Sequence, residues 1–213
     1  MNVRIKICGV THPDDAVAAA DAGADLVGLN FVPGSPRCLD LATAVAISER
    51  IAGRVERVAV FRDAPPEDIT RVLRRVELER VQLHGEETEE ECEDVDLPVI
   101  KALRGADLVA AEGYPGTLLL LDNPTEGGGQ GKAWNWSDAS ELIERGYDVI
   151  LAGGLDPNRV GEALGALGDL LPWGVDVATG VEGEGTRKDP DRIAAFIEAV
   201  RKAESAEAPG DES

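Results

Sequence analysis

Short apolar, β-branched runs recur through the chain, and each is followed by a stretch in which apolar positions repeat with helical spacing. The runs predict strands at Val3–Cys8, Leu26–Phe31, Arg57–Phe61, Arg80–Leu83, Val99–Ala102, Thr117–Leu121, Val149–Leu151 and Val175–Val177. The intervening stretches predict helices at Asp14–Ala22, Leu41–Ala52, Pro66–Val76, Glu89–Glu93, Asp107–Glu112, Ser137–Arg145, Asn158–Leu167 and Asp191–Glu204. Start signals such as Pro13-Asp14-Asp15, Pro65-Pro66-Glu67 and Asp189-Pro190-Asp191 put caps, proline and early acids in the first turn, and Gly23, Gly53 and Gly146 close three helices. Eight such units in 213 residues leave about 27 residues apiece, which fits a compact (β/α)₈ barrel. The rival, a doubly wound open sheet, usually carries a G-x-G-x-x-G turn after its first strand, and Cys8-Gly9-Val10-Thr11-His12 is not one. The predicted fold is therefore α/β, a single (β/α)₈ barrel over residues 1–203, with 204–213 an acidic, disordered tail.

A barrel of this kind builds its site from the loops that follow the strands, so the residues just past each strand form one candidate constellation. Alternation in the first strand puts Val3, Ile5 and Ile7 on one face and Arg4, Lys6 and Cys8 on the other. Cys8 thus ends the strand beside cations. It reads either as a small buried hydrophobe or as a thiol whose neighbours favour thiolate, a base or nucleophile. Asp122 ends the run Leu118-Leu119-Leu120-Leu121, where desolvation raises a carboxyl pKa and makes a general acid; the plainer reading is a turn acid before Asn123-Pro124. Gly153-Gly154 and Gly180 fall after the seventh and eighth strands, where barrels commonly hold phosphate on backbone N–H groups. Gly127 to Gly131 with Lys132 form either a lid or a plain loop. Arg37 offers a fork for a carboxylate or phosphate, or a loop salt bridge; His84 reads first as a packed polar residue. Asp176 either holds a substrate hydroxyl or amine or pairs with Arg37 or Lys6, and Trp134, Trp136 and Trp173 read as packing residues.

Composition narrows the partners. Three cysteines without C-x-x-C spacing argue against a disulfide framework or zinc knuckle, and two histidines argue against a metal hydrolase, so no metal is expected. No run approaches a membrane span or a signal peptide, which predicts a cytoplasmic protein with no membrane partner. Forty-one acidic residues against 21 basic ones, a formal charge of -20, exclude nucleic acid. Self-repulsion of that size is tolerable where salt shortens the Debye length to about 3 Å, as at 1 M, which points to a salt-rich, halophilic cytoplasm; the plainer reading is an ordinary acidic, solvated surface. On the halophilic reading the melting temperature is expected to fall on transfer from molar KCl to dilute buffer; equal melting in both would remove it.

Taken together, Lys6-Ile7-Cys8-Gly9, Ser35-Pro36-Arg37, Val81-Gln82-Leu83-His84-Gly85, Leu120-Leu121-Asp122, Gly128-Gly129-Gln130-Gly131-Lys132, Leu151-Ala152-Gly153-Gly154-Leu155 and Gly174-Val175-Asp176-Val177 through Gly180-Val181-Glu182 resemble the phosphoribosylanthranilate isomerases, in order and over nearly the whole chain. The resemblance implies a cofactor-free Amadori rearrangement in tryptophan biosynthesis. It implies Cys8 as general base, Asp122 as general acid and Arg37 beside the anthranilate group; from their places at the strand ends, His84 and Asp176 are counted with Arg37 as candidate substrate-binding residues. It also implies a phosphate cradle at Gly128, Gly129, Gly131, Gly153, Gly154, Thr179 and Gly180. Asp122 would protonate the ribose ring oxygen to open a Schiff base, and Cys8 would remove the C2′ proton to give an enolamine that tautomerises to the ketone. Asn30, Ala59, Thr179 and Trp134-Asn135-Trp136 depart from the usual residues of that family. The implied partner is a small phosphosugar bearing an anthranilate group, handled by a monomer or homodimer. Two alternatives stand beside it: an indoleglycerol-phosphate synthase-like barrel, for which Lys101 on the fifth strand is the candidate lysine, and a non-catalytic phosphosugar-binding barrel.

Overall fold

The computed structural model describes residues 2–124 and 134–207. Its strands are β1 (Arg4–Cys8), β2 (Leu26–Asn30), β3 (Glu56–Phe61), β4 (Arg80–Leu83), β5 (Val99–Arg104), β6 (Leu118–Asp122), β7 (Val149–Leu151) and β8 (Gly174–Val177). They run parallel and close into a barrel in chain order, with β8 returning to pair with β1. The helices between and after them are α1 (Pro13–Ala22), α2 (Leu41–Arg50), α3 (Pro66–Leu73), α4 (Glu89–Glu93), α5 (Leu108–Ala111), α6 (Ser140–Glu144), α7 (Val160–Gly165) and α8 (Pro190–Glu207). None among the described residues is long and apolar enough to cross a membrane.

Alternation along the strands separates two cores. Val3, Ile5, Ile7, Val27, Leu29, Leu119, Leu121, Val149, Leu151, Val175 and Val177 face the helices, together with buried helix residues such as Ile47, Leu142, Phe196 and Val200. Each such aliphatic side chain contributes about 1.5–3 kcal/mol by leaving water. Leu26, Val58, Ile100, Ala102, Leu118, Leu120, Ile150 and Ala152 fill the barrel's interior. At the amino end of the strands, Arg4 and Arg80 lie 4.7 and 5.5 Å from the Trp173 ring centroid, and both reach Glu56. Trp173 is thus a packing residue that closes the barrel floor.

Local chemistry sets the helix ends. His12 is the N-cap of α1, its Nδ1 accepting from the Asp14 N–H at 3.2 Å, and Gly23 at φ 97° ends that helix in the left-handed conformation. Thr88 and Glu91 form a capping box on α4. α5 starts after Asp107 because that carboxylate caps it, accepting from the Val109 and Ala110 N–H groups. α7 starts later than the periodicity predicts because Asp156 first draws the Asn158 and Arg159 N–H groups into a turn. A 3₁₀ turn, Trp136–Ala139, replaces the first turn expected for α6. α8 runs past Glu204 to Glu207; Glu204 accepts the Val3 N–H and pairs with Arg201, so the start of the presumed tail is tied to the start of β1.

Candidate active site

The carboxyl ends of the strands open into a cavity of about 1130 Å³ whose lining includes Cys8, Arg37, His84, Asp122, Gly153, Gly154, Asp176 and Thr179. Eight of the residues singled out from sequence therefore meet at one place. Gly128, Gly129 and Gly131 lie outside the described residues. Gly180 is not part of the cavity wall. Its role is close approach, since a Cβ there would lie 2.1 Å from the Leu155 carbonyl oxygen, where the β7 and β8 loops touch.

The register of β1 with β8 places Lys6 opposite Asp176, and the two side chains pair at 2.7 Å inside the barrel. Burial would discharge Lys6, but Asp176 and the neighbouring thiol outweigh it and hold the ammonium charged. Asp176 thus pairs with Lys6 through Oδ1 while still lining the cavity, so the pairing does not remove it from the substrate's reach. The Lys6 ammonium and the Cys8 thiol converge over Gly28: a Cβ at that position would stand 2.8 Å from Sγ, 3.1 Å from the Cys8 Cα and 3.2 Å from Nζ. Burial pushes the Cys8 thiol up, and Lys6 offsets only part of that. This reverses the expectation that nearby cations yield a resting thiolate, because the desolvation of a buried thiolate exceeds the attraction of an ammonium already neutralised by Asp176. Gly28→Ala is expected to displace the thiol, lower kcat by about 10²-fold and destabilise the fold by about 1–3 kcal/mol. Kinetics beside a thermal melt check it; unchanged turnover would mean that Gly28 does not seat the thiol.

Asp122 ends β6, three strands around the ring from β1. Its Oδ1 accepts the Asn123 N–H at 2.8 Å, and His84 Nε2 lies 3.3 Å from Oδ2. His84 is held in turn by its own N–H to the Phe61 carbonyl and by Gln82 Nε2, 3.0 Å from Nδ1. That contact on Nδ1 leaves Nε2 turned toward the carboxylate. Burial raises the Asp122 carboxyl, but His84, the Asn123 N–H and Lys6 together outweigh it and the pKa is lowered. The expected upward shift is thus corrected: the rim is apolar below Asp122 but polar around it. Gly153 belongs to the same spot, since a Cβ there would lie 2.6 Å from the Asn123 nitrogen and 2.9 Å from Asp122 Oδ1.

Arg37 reaches the cavity from the β2 loop, yet its Nε and Nη2 fork is taken by Glu182 at 2.6 and 2.9 Å. The salt bridge that the sequence allowed as the alternative is thus present, and an incoming anion meets only the remaining N–H groups. Glu182 also receives the buried Lys188 at 3.0 Å, and Lys188 donates to the Ala178 carbonyl at 2.9 Å, next to Thr179. Burial opposes the Glu182 charge, but Arg37 and Lys188 outweigh it and its pKa is lowered. This chain of contacts links the Arg37 loop to the β8 loop. Sequence reasoning missed it because residues 37 and 182 share neither strand register nor spacing. The Lys6–Asp176 pair did leave a signal, since both sit on inward positions of adjacent strands.

Lys101 borders the same cavity, but its ammonium is already spent on other partners. Its neighbours Ile100 and Ala102 point into the barrel, so Lys101 lies on the opposite face, toward the helices, where its ammonium bonds Glu87 and the Gly85 carbonyl, both at 2.6 Å.

The family model described as N-(5'phosphoribosyl)anthranilate (PRA) isomerase matches residues 5–199. A protein named N-(5'-phosphoribosyl)anthranilate isomerase from Myxococcus xanthus is 44% identical over 209 residues, covering 94% of this chain and 97% of its own. The phosphoribosyl anthranilate isomerase structure from Thermotoga maritima aligns with a TM-score of 0.87 at 38% identity, over 94% of this chain and 99% of that one. A phosphoribosyl anthranilate isomerase solved in complex with reduced 1-(o-carboxyphenylamino)-1-deoxyribulose 5-phosphate aligns with a TM-score of 0.83 at 36% identity, over the same shares. Similarity of this extent, carried by a barrel whose strand ends meet in one cavity, places the chain: it belongs to the N-(5'-phosphoribosyl)anthranilate isomerase family.

Proposed function

We propose that this chain performs its family's isomerisation, a step of tryptophan biosynthesis, with Asp122 as the general acid and Cys8 as the general base. The observation that carries the assignment is that both groups line one cavity, each beside a fixed polar partner, His84 for Asp122 and Lys6 for Cys8. Asp122 gives its proton to the ribose ring oxygen as the C1′–O bond breaks, leaving an iminium between C1′ and the anthranilate nitrogen. Cys8 takes the C2′ proton, and that electron pair forms the C1′=C2′ bond of an enolamine. Protonation at C1′ and loss of the C2′ hydroxyl proton then give the aminoketone, 1-(2-carboxyphenylamino)-1-deoxyribulose 5-phosphate. The remaining Arg37 N–H groups receive the anthranilate carboxylate, Asp176 a sugar hydroxyl, and the loops at Gly154 and Thr179 the phosphate. In this reading the enzyme works on a diffusible substrate in the cytoplasm, as a monomer or homodimer.

The resting ionisation is the opposite of what the first step needs, because the Asp122 carboxyl is held low and the Cys8 thiol is pushed up. Between the two pKa values the protein rests as carboxylate and thiol, and the reactive minority carries the proton on Asp122 instead of Cys8. Activity then falls below the Asp122 pKa and above that of Cys8, so the acid limb of kcat/KM belongs to the acid and the basic limb to the base. His84→Ala removes the contact that lowers the Asp122 pKa and is expected to move the acid limb to higher pH, leaving the basic limb in place. Movement of the basic limb alone would mean the ordinary order of ionisation. The same experiment, following the loss of anthranilate fluorescence from N-(5'-phosphoribosyl)anthranilate, tests the activity itself: binding without turnover would make the chain a non-catalytic barrel.

A further inference from the structure

One buried ion pair plays no part in the steps above, yet it touches the loop that carries His84. Lys101 is 1% exposed and Glu87 7%, and their pairing lies behind β4, on the helix side of the barrel. A lysine among the outward apolar residues of the sheet is destabilising unless it is fully bonded. Here it is bonded in a particular way. The Gly85 carbonyl accepts from Lys101 Nζ at 2.6 Å, and the Gly85 N–H donates to Glu87 Oε2 at 2.8 Å, so the ion pair grips both polar groups of the residue that follows His84. Glu87 Oε1 also accepts the Asp63 N–H at 2.8 Å, and the Tyr114 hydroxyl donates to the Glu87 carbonyl at 2.7 Å.

Asp63 completes the arrangement from the β3 loop. Its backbone is in the left-handed region, at φ 48°, the one such non-glycine among the described residues. That turn lays its Oδ1 over Gly85, where a Cβ would come within 2.1 Å, and lets Oδ1 accept the Glu86 N–H at 2.7 Å. Three strands thus converge on one glycine, and the strained turn persists because Glu87 holds its N–H.

We propose that Lys101 and Glu87 are positioning residues for the acid: by gripping Gly85 from behind the barrel wall they fix the His84 imidazole against Asp122. The inference rests on the assignment of Asp122 as the acid held by His84. Its test is the paired variant Lys101→Met with Glu87→Gln, which leaves no lone charge, made in the parent and in the His84→Ala background, with a thermal melt on each. In the parent, kcat is expected to fall about tenfold with KM within about twofold, and the acid limb of kcat/KM to move to higher pH. In the His84→Ala background the paired variant is expected to add nothing beyond about twofold. An equal loss in both backgrounds, or no loss in the parent, overturns the inference. Tyr114→Phe, which removes one hydroxyl, serves if the paired variant does not fold; a smaller loss of the same kind, again absent without His84, is expected, and its persistence without His84 counts against the proposal. Failure of the underlying assignment shows separately, as an acid limb that His84→Ala alone does not move.

Discussion

Replacing Cys8 with alanine is expected to lower kcat by about 10²–10⁴-fold while KM and the melting temperature change little. The sulfur is the one candidate base at the end of β1, and no neighbour is fit to take its place. Lys6 is held charged by Asp176 and has no lone pair to accept a proton. Asp176 is committed to that ammonium, which draws it away from proton abstraction. Serine at position 8 is expected to fail as well, because a hydroxyl in the same buried setting yields far less anion than a thiol. Steady-state kinetics with N-(5'-phosphoribosyl)anthranilate, beside a binding measurement on a non-reactive product analogue, checks the point. If Cys8→Ala turned over within a few-fold of the parent, another group would have to be the base.

Asp122→Asn is expected to lower kcat by a similar 10²–10⁴-fold, by a different physical route. Asparagine preserves the shape, keeps an oxygen for the Asn123 N–H and still faces His84. It has no proton of carboxylic acidity to give, so ring opening loses its acid while the cavity stays formed. Analogue affinity within a few-fold of the parent, with kcat collapsed, is the expected pattern. A collapse in affinity with kcat retained would make Asp122 a binding residue and leave the acid role to another group.

The architecture was legible because alternation does two jobs in this chain. The apolar runs announced the strands, and alternation split β1 into a Val3, Ile5, Ile7 face and an Arg4, Lys6, Cys8 face; the structure turns the first to the helices and Lys6 and Cys8 inward. From sequence, Lys101 keeps a synthase-like role open; only the structure, which turns Ile100 and Ala102 inward, puts it on the other face. Strand-end residues such as His84 and Asp122 could be found because a parallel barrel brings all carboxyl ends to one rim. Gly180 was legible as a residue of the right loop but not as a contact, since its need for glycine comes from the Leu155 carbonyl on another loop.

What the sequence determined by itself was the order of the elements, the face each strand residue occupies and the set of groups gathered at the strand ends, all of which follow from local periodicity and chain order. The ionisation of those groups was decided by the tertiary structure alone. Cys8 is a resting thiol and Asp122 a resting carboxylate because desolvation competes with partners brought from other strands, Lys6 with its own counter-ion in one case and His84 in the other. The half-used fork of Arg37 and the ion pair behind Gly85 were decided in the same way. Such contacts depend on distances of a few ångströms between residues far apart in sequence, and no pattern along the chain encodes those.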